Sequence, residues 1–307
     1  MQASGVLDWG NSYALNQFYD SKNDRRVVWG WSDEDLNNTA LLQQGFQGSL
    51  GLPRELYVLK SHNVLPPNEG IVDGPEIWTP TCDNKTYTVT TVAQHPLPEV
   101  VEAIQGTEQE CIDKPFDLQG QLPLHQVNSS HFHLQTTISA LPPSTNESSF
   151  GMEVRSSPAK QELTSIRYYP ANASLVLDRS QSSRLTTITK STFVGHFAPY
   201  TNANHTTEAM TFDVFVDGSL IEIFINDRFA MTSRIYPTRA DALGAGLVSK
   251  GGETKVESVK FWEMEKNVWP ERPLNASSPL LQDAYYETHI TFPNPYLPVG
   301  YELYDGN

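Results

Sequence analysis

The sequence predicts an all-β protein, and three observations carry that expectation. Short runs rich in Val, Ile, Thr, Phe and Tyr recur along the chain, each ended by a cluster of Gly, Pro, Asn or Asp. In the strongest stretch, Met210 to Met231, Phe212, Val214 and Val216 alternate with Asp213 and Phe215, the period of a strand. Only one short segment reads as a helix. Patterns of this kind belong to propellers, barrels and sandwiches.

The elements follow in chain order. Ser12 to Phe18 and Arg26 to Trp31 read as strands joined by the polar turn Asp20 to Asp24. Leu52 to Leu59 is a strand behind the approach Gly45-Phe46-Gln47-Gly48. The helix has Pro98 and Glu99 in its first turn, a stripe of Val100, Val101 and Ile104, and Gly106 as its stop. Thr107 to Gln121 is polar and reads as a linker. His131 to Ser139, Phe150 to Arg155, Thr164 to Tyr169 and Ala173 to Asp178 read as an antiparallel run. Met210 to Met231 is a meander that turns at Asp217-Gly218 and at Asn226-Asp227. Val256 to Trp262 closes the region. From Asn267 the chain is rich in Pro and aromatics (Trp269-Pro270, Pro293-Asn294-Pro295-Tyr296), and a surface-hugging extension is expected. No repeat of fixed period is visible.

Composition narrows the function. The 307 residues suggest two domains at about 150 residues each. Lys+Arg 21 against Asp+Glu 36 gives a net charge of −15, which argues against nucleic acid and anionic membranes as partners. A neutral sugar substrate or an acidic medium fits better. A mean hydropathy of −0.41 with 10% aromatics describes a globular chain. No stretch reaches the roughly 18 apolar residues of a membrane span. Two cysteines, Cys82 and Cys111, exclude a disulfide scaffold and a Cys-rich metal site, and leave open one bridge or two free thiols. Asn-x-Ser/Thr acceptors stand at Asn37, Asn84, Asn128, Asn146, Asn172, Asn204 and Asn275, seven of 18 asparagines, which points to a glycosylated, extracellular protein. The start, Met1 to Asp8, has no basic n-region and no apolar core of a signal peptide, so an N-terminally truncated piece is expected.

Ordered motifs then point to a family. Asp8-Trp9-Gly10-Asn11-Ser12-Tyr13-Ala14 is followed by Arg25-Arg26-Val27-Val28-Trp29-Gly30-Trp31 and by Leu52-Pro53-Arg54-Glu55-Leu56. Leu177-Asp178-Arg179-Ser180, the stretch Phe215 to Asp227, and Thr232 to Pro237 come later. This order resembles the second half of glycoside hydrolase family 32, the invertases, inulinases and fructosyltransferases, from about residue 7 to 265. The tail Trp269 to Pro279 resembles fungal members. The resemblance implies the last blades of a five-bladed β-propeller over residues 1–106, a β-sandwich over 107–266 and a C-terminal extension over 267–307. Missing blades would leave an open edge and exposed apolar faces. It also implies a retaining mechanism on β-fructofuranosides such as sucrose, inulin or levan, with no cofactor and no metal.

The family's catalytic carboxylates precede the Asp-x-Gly motif, where this chain has seven residues. The Asp-Pro-Asn nucleophile motif and the Arg-Asp-Pro stabiliser motif occur nowhere in it. Glu110-Cys111 copies the acid/base Glu-Cys pair but lies beyond the Leu-Pro-Arg-Glu strand, and reads as a solvated linker glutamate. The chain alone is therefore expected to be inactive. What remains of a sugar site is a wall: Trp31, Trp9 and Tyr13, with Asp8 and Asn11 as hydroxyl partners. For Trp31 the alternatives of pocket rim and propeller core are evenly balanced. The acidic stretch Ser32 to Asp35 suggests that the strand leaves the core there. Arg54 and Glu55 read as a supporting ion pair, and Asp178, Arg179, Asp217 and Glu222 as turn and hairpin residues. His131 and His133 alternate on one strand as a packed or exposed pair. The rival reading is a non-catalytic sandwich that binds fructan or mediates homodimerisation.

Overall fold

A computed structural model describes residues 6–38, 40–41, 47–66, 76–82, 85–124, 128–186 and 188–264. The extension from residue 267, and the acceptors Asn84 and Asn275, lie outside the described residues. Among those described, two antiparallel sheets account for nearly all regular structure.

The first sheet contains β1 (Ser12–Asp20), β2 (Arg25–Ser32), β3 (Ser49–Leu50), β4 (Arg54–Val64), β5 (Ile77–Pro80) and β6 (Tyr87–Pro96). Its order is β1-β2-β4-β6-β5, with β3 beside β2. The helix α1 (Pro98–Ile104) follows, with Glu99 in its first turn, where a carboxylate suits the helix dipole.

The second sheet contains β7 (Gln105–Ile112), β8 (Phe116–Leu124), β9 (His131–Ala140), β10 (Ser149–Ser156), β11 (Thr164–Tyr169), β12 (Ser174–Asp178), β13 (Phe193–His196), β14 (Met210–Asp217), β15 (Leu220–Ile225), β16 (Phe229–Arg234) and β17 (Gly244–Met264). Its order is β13-β12-β11-β10-β17-β9-β14-β15-β16, and β7 and β8 also pair with β17. The 21-residue β17 belongs to both layers of the sandwich. Its first part pairs with β10, and its second with β9 and β7. The ladder between β17 and β8 breaks between Ser249 and Thr254. Gly251 at φ +73° and Gly120 at φ +83° sit at that break, in a backbone region that side chains disfavour. One long strand thus bends and joins the two layers.

Phe132 and Leu134, Phe212, Val214 and Val216, and Ile221, Ile223 and Ile225 face Phe150, Met152, Ile166, Leu175 and Leu177 in the main core. The opposite face of the β14–β16 meander is covered too. Phe215, Phe224 and Ala230 cluster with Ile104, against which Leu52, Val100 and Val101 pack. That is why all six residues of β15 are buried although Glu222 is among them.

Several expectations change. The polar stretch expected to be a linker forms β7 and most of β8, because both borrow backbone hydrogen bonds from β17 and need little apolar surface of their own. β5, β6 and β13 were not anticipated; β5 and β13 are four residues each, and contain Pro80 and Gly195. Cys82 and Cys111 are both free and exposed, so no bridge joins them. A hydrogen bond to Asp113, helped by the charge of Glu108, pushes the Cys111 thiol up to about 11.

Candidate functional site: an aromatic sheet face and the join beneath it

Trp31 lies in register between Tyr13 on β1 and Leu50 on β3. The Tyr13 and Trp31 rings meet edge to face, 5.6 Å between centroids. Tyr13 is 62% and Leu50 63% exposed, while Trp31 is half-buried. Trp29, two residues back on the same face, is also exposed and donates its indole N–H to the Gly51 carbonyl at 2.6 Å. The other face of this sheet exposes the cross-strand pair Val58 and Val92. Apolar residues are thus bare on both faces, an arrangement that marks a surface built to be covered.

Asp8, Trp9 and Asn11 are placed differently. Residues 8–11 run along the free edge of β16, where Trp9 N donates to Ala230 O and Asn11 N to Thr232 O, each at 2.9 Å. The contact is so close that a Cβ on Gly10 would stand 1.7 Å from the Thr232 carbonyl oxygen. Asp8 accepts hydrogen bonds from the Gly10 and Thr232 amides at 2.9 Å and from the Thr232 hydroxyl at 2.7 Å. It also pairs with Arg54 at 3.0 Å. Its carboxylate is committed, so the expected role of hydroxyl partner is replaced by one in joining sheet to sandwich. Trp9 likewise turns toward the sandwich, edge-on to His196 at 5.6 Å and packed on the main core. Asn11 keeps a buried Oδ1 without a hydrogen-bond partner.

Arg54 does not pair with its neighbour Glu55. It reaches Glu222 at 3.1 Å and the Thr232 hydroxyl at 2.8 Å, and its guanidinium lies 4.9 Å over the Phe224 ring. Glu222 also accepts the Leu52 amide at 2.9 Å. Burial raises the Glu222 pKa, outweighing the opposite pull of Arg54. The side chains of Asp8, Arg54 and Glu222 are each at most 3% exposed.

The acidic stretch after Trp31 enters the join and does not leave the core. Arg234 pairs with Glu34 at 3.0 Å and donates to the Ser32 carbonyl at 3.1 Å. Arg179 binds Asp35 and the Arg234 carbonyl. Arg179 and Glu222, expected as turn and hairpin residues, are therefore ionic contacts across the join.

A third contact is titratable. His95 on β6 stands 3.6 Å from Asp227, in the β15–β16 turn, and 3.8 Å from Glu55 on β4. The Tyr57 hydroxyl donates to Asp227 at 2.6 Å. The Asp227 carboxylate beside it raises the His95 pKa, against some desolvation. His133 is packed, stacked between Phe215 and Trp262, with Asp213 and Gln105 on its nitrogens. Glu110 sits on β7 opposite Phe261, in the sandwich and not beside Trp31.

The signal for the join lay in the sequence: two carboxylates and an arginine in otherwise apolar or tightly turned segments, Asp8, Arg54 and Glu222. What hid it was sequence distance, since Arg54 and Glu222 lie 168 residues apart and Asp8 and Thr232 224.

Comparison with known proteins agrees with this geometry. Residues 99–263 match the family description "Glycosyl hydrolases family 32 C terminal", and residues 2–67 "Glycosyl hydrolases family 32 N-terminal domain". An acid beta-fructofuranosidase of Solanum lycopersicum is 28% identical over 274 residues, covering 84% of this chain and 41% of that protein. The crystal structure of a fructosyltransferase from A. japonicus aligns with a TM-score of 0.76 at 28% identity, over 87% of this chain and 46% of that one. An Aspergillus kawachii beta-fructofuranosidase aligns with a TM-score of 0.75 at 25% identity, over 88% and 49%. The chain spans less than half the length of each.

Proposed function

The chain belongs to glycosyl hydrolase family 32, and on that premise we propose that it is the distal part of an extracellular enzyme that hydrolyses or transfers β-fructofuranosyl groups of neutral sugars. In this reading it supplies one wall of the sugar site, with Tyr13 and Trp31 as the apolar surface and Asn11 as a polar neighbour. The remaining blades and the reacting carboxylates belong to sequence outside it. Retaining cleavage needs two carboxyl groups about 5 Å apart, one to attack the anomeric carbon and one to protonate the leaving oxygen. The Asp-Pro-Asn and Arg-Asp-Pro motifs that would supply two of these roles occur nowhere in the sequence, and in this reading the chain alone does not turn over sugar. The observation that carries the reading is the row in which exposed Tyr13 and Leu50 flank half-buried Trp31, on a sheet with apolar residues bare on both faces. Exposure of Asn37, Asn128, Asn146, Asn172 and Asn204 supports glycosylation and passage through a secretory compartment.

The test is fructose release from sucrose and inulin by the purified chain, beside a Glu110→Ala control. None is expected. Release that disappears in the control would overturn both the assignment of inactivity and the reading of Glu110 as structural. In-frame codons for an Asp-Pro-Asn motif upstream of Met1 are expected in the gene, and their absence would favour the rival reading of a binding module.

A further inference from the structure

The outer face of the sandwich, away from the join, holds a polar cavity of about 310 Å³ over β10, β11, β12 and the first half of β17. We propose that it binds a neutral oligosaccharide, with Arg167 as the donor to sugar hydroxyls and Tyr169 and Val176 as the surface for its C–H face. The strand register sets the layout. Arg167 lies between Gly151 on β10 and Val176 on β12, so that no side chain rises beside it from β10. The next row along has Ser165 between Glu153 and Asp178.

Arg167 is the unusual feature. Its side chain is 7% exposed, and one of its terminal nitrogens, Nη2, donates to Glu153 at 2.8 Å. The other, Nη1, is buried and has no acceptor. A buried donor without a partner is costly, and this one, unlike that of Arg179, belongs to a side chain lining this cavity. Glu153 takes Nη2 on Oε1 and Lys160 on Oε2 at 2.6 Å, and neither contact reaches Nη1.

The charges around the cavity choose the ligand. Arg167 and Lys250 face Glu153 and Asp178, two of each sign. An anion would meet the two carboxylates and a chain of net charge −15, and a cation would meet the guanidinium. A neutral polyol can accept from Arg167 and donate to Asp178 at once, while its ring packs on the aromatic and aliphatic side chains. A second cavity of about 440 Å³ shares Tyr169 and Val176 and extends the trough toward β13, giving room for more than one sugar unit.

Two sources could supply this chemistry. One is a free oligofructoside. The other is the protein's own N-linked glycan, because Asn146 and Asn172 line the second cavity and both are exposed. Only the choice of a fructan as probe rests on the proposed function; the trough itself does not depend on it.

The experiment uses the full chain made in bacteria, where these asparagines stay bare. Calorimetric titration is done with an inulin oligosaccharide and, separately, with the free core pentasaccharide of an N-glycan. Arg167→Gln and Tyr169→Ala are compared with the wild type, and thermal unfolding checks each fold. Tyr169→Ala keeps the Arg167–Glu153 pair, so it remains informative if Arg167→Gln folds poorly. Saturable binding is expected, weakened at least about tenfold in a folded variant, the size expected from one charge-assisted hydrogen bond or one sugar–aromatic contact. Binding of inulin identifies a free fructan as the source, and binding of the pentasaccharide alone identifies the protein's own glycan. Failure of both sugars to bind, or unchanged affinity in a folded variant, overturns the proposal. Neither result bears on fructose release, so the two readings fail separately.

Discussion

Replacing Arg54 with Met asks how much the join depends on one guanidinium. The substitution keeps much of the aliphatic stem that packs by Phe224, and removes the cation between Asp8 and Glu222. Those carboxylates are at most 3% exposed and cannot turn to water. Removing one partner of a buried ion pair costs about 3–5 kcal/mol, because the other charge is left uncompensated. Here two charges are stranded, so the upper part of that range applies. For units of this size a loss of 1 kcal/mol lowers Tm by about 2–4 °C, which puts Arg54→Met about 8–20 °C below wild type. Urea unfolding at neutral pH and thermal unfolding measure the loss directly. Adding Glu222→Gln to Arg54→Met removes one stranded charge and should recover part of it, a non-additivity expected only of groups in contact. A loss below about 1 kcal/mol, the worth of a solvated surface pair, would refute the reasoning. It would mean that the sheet separates from the sandwich easily enough to hydrate Asp8 and Glu222.

Two further outcomes follow from the same join. Asp227 raises the His95 pKa in the folded chain above its unfolded value of about 6.5; the stability it contributes is therefore complete below that value and lost as pH rises through the folded pKa. Tm measured from mildly acidic to alkaline pH should fall across that window in the wild type and fall less in His95→Gln; equal slopes would remove His95 from the join. Gly10→Ala places a methyl group 1.7 Å from the Thr232 carbonyl oxygen, which residues 8–11 can relieve only by leaving the β16 edge, at a cost of about 1–3 kcal/mol. Faster hydrogen exchange at the Trp9 and Asn11 amides reports that release, and unchanged protection would show that the edge pairing is not what holds the segment.

Much of the fold was legible because strands announce themselves locally. The meander of β14, β15 and β16 appears in the sequence as alternating Phe212, Val214 and Val216, then the turns after Asp217 and at Asn226-Asp227, and each lies within a few residues of its partner. Thr164 to Tyr169 was placed with its boundaries unchanged for the same reason. That Tyr13 and Trp31 stand side by side could be anticipated from the order of motifs on neighbouring strands.

The sequence by itself determined the all-β class, the family and the strands whose apolar period is intact. Only the tertiary structure decided that polar Gln105–Ile112 and Phe116–Leu124 are strands, since their pairing partner is β17, more than 100 residues later. It alone moved Asp8 from a sugar site to an ion pair, and turned Arg54 from Glu55 toward Glu222. The physical reason is the same in each case. A side chain's period records which face it takes in its own strand, but the charge or edge that will satisfy it comes from a distant segment, and that choice exists only once the layers have packed.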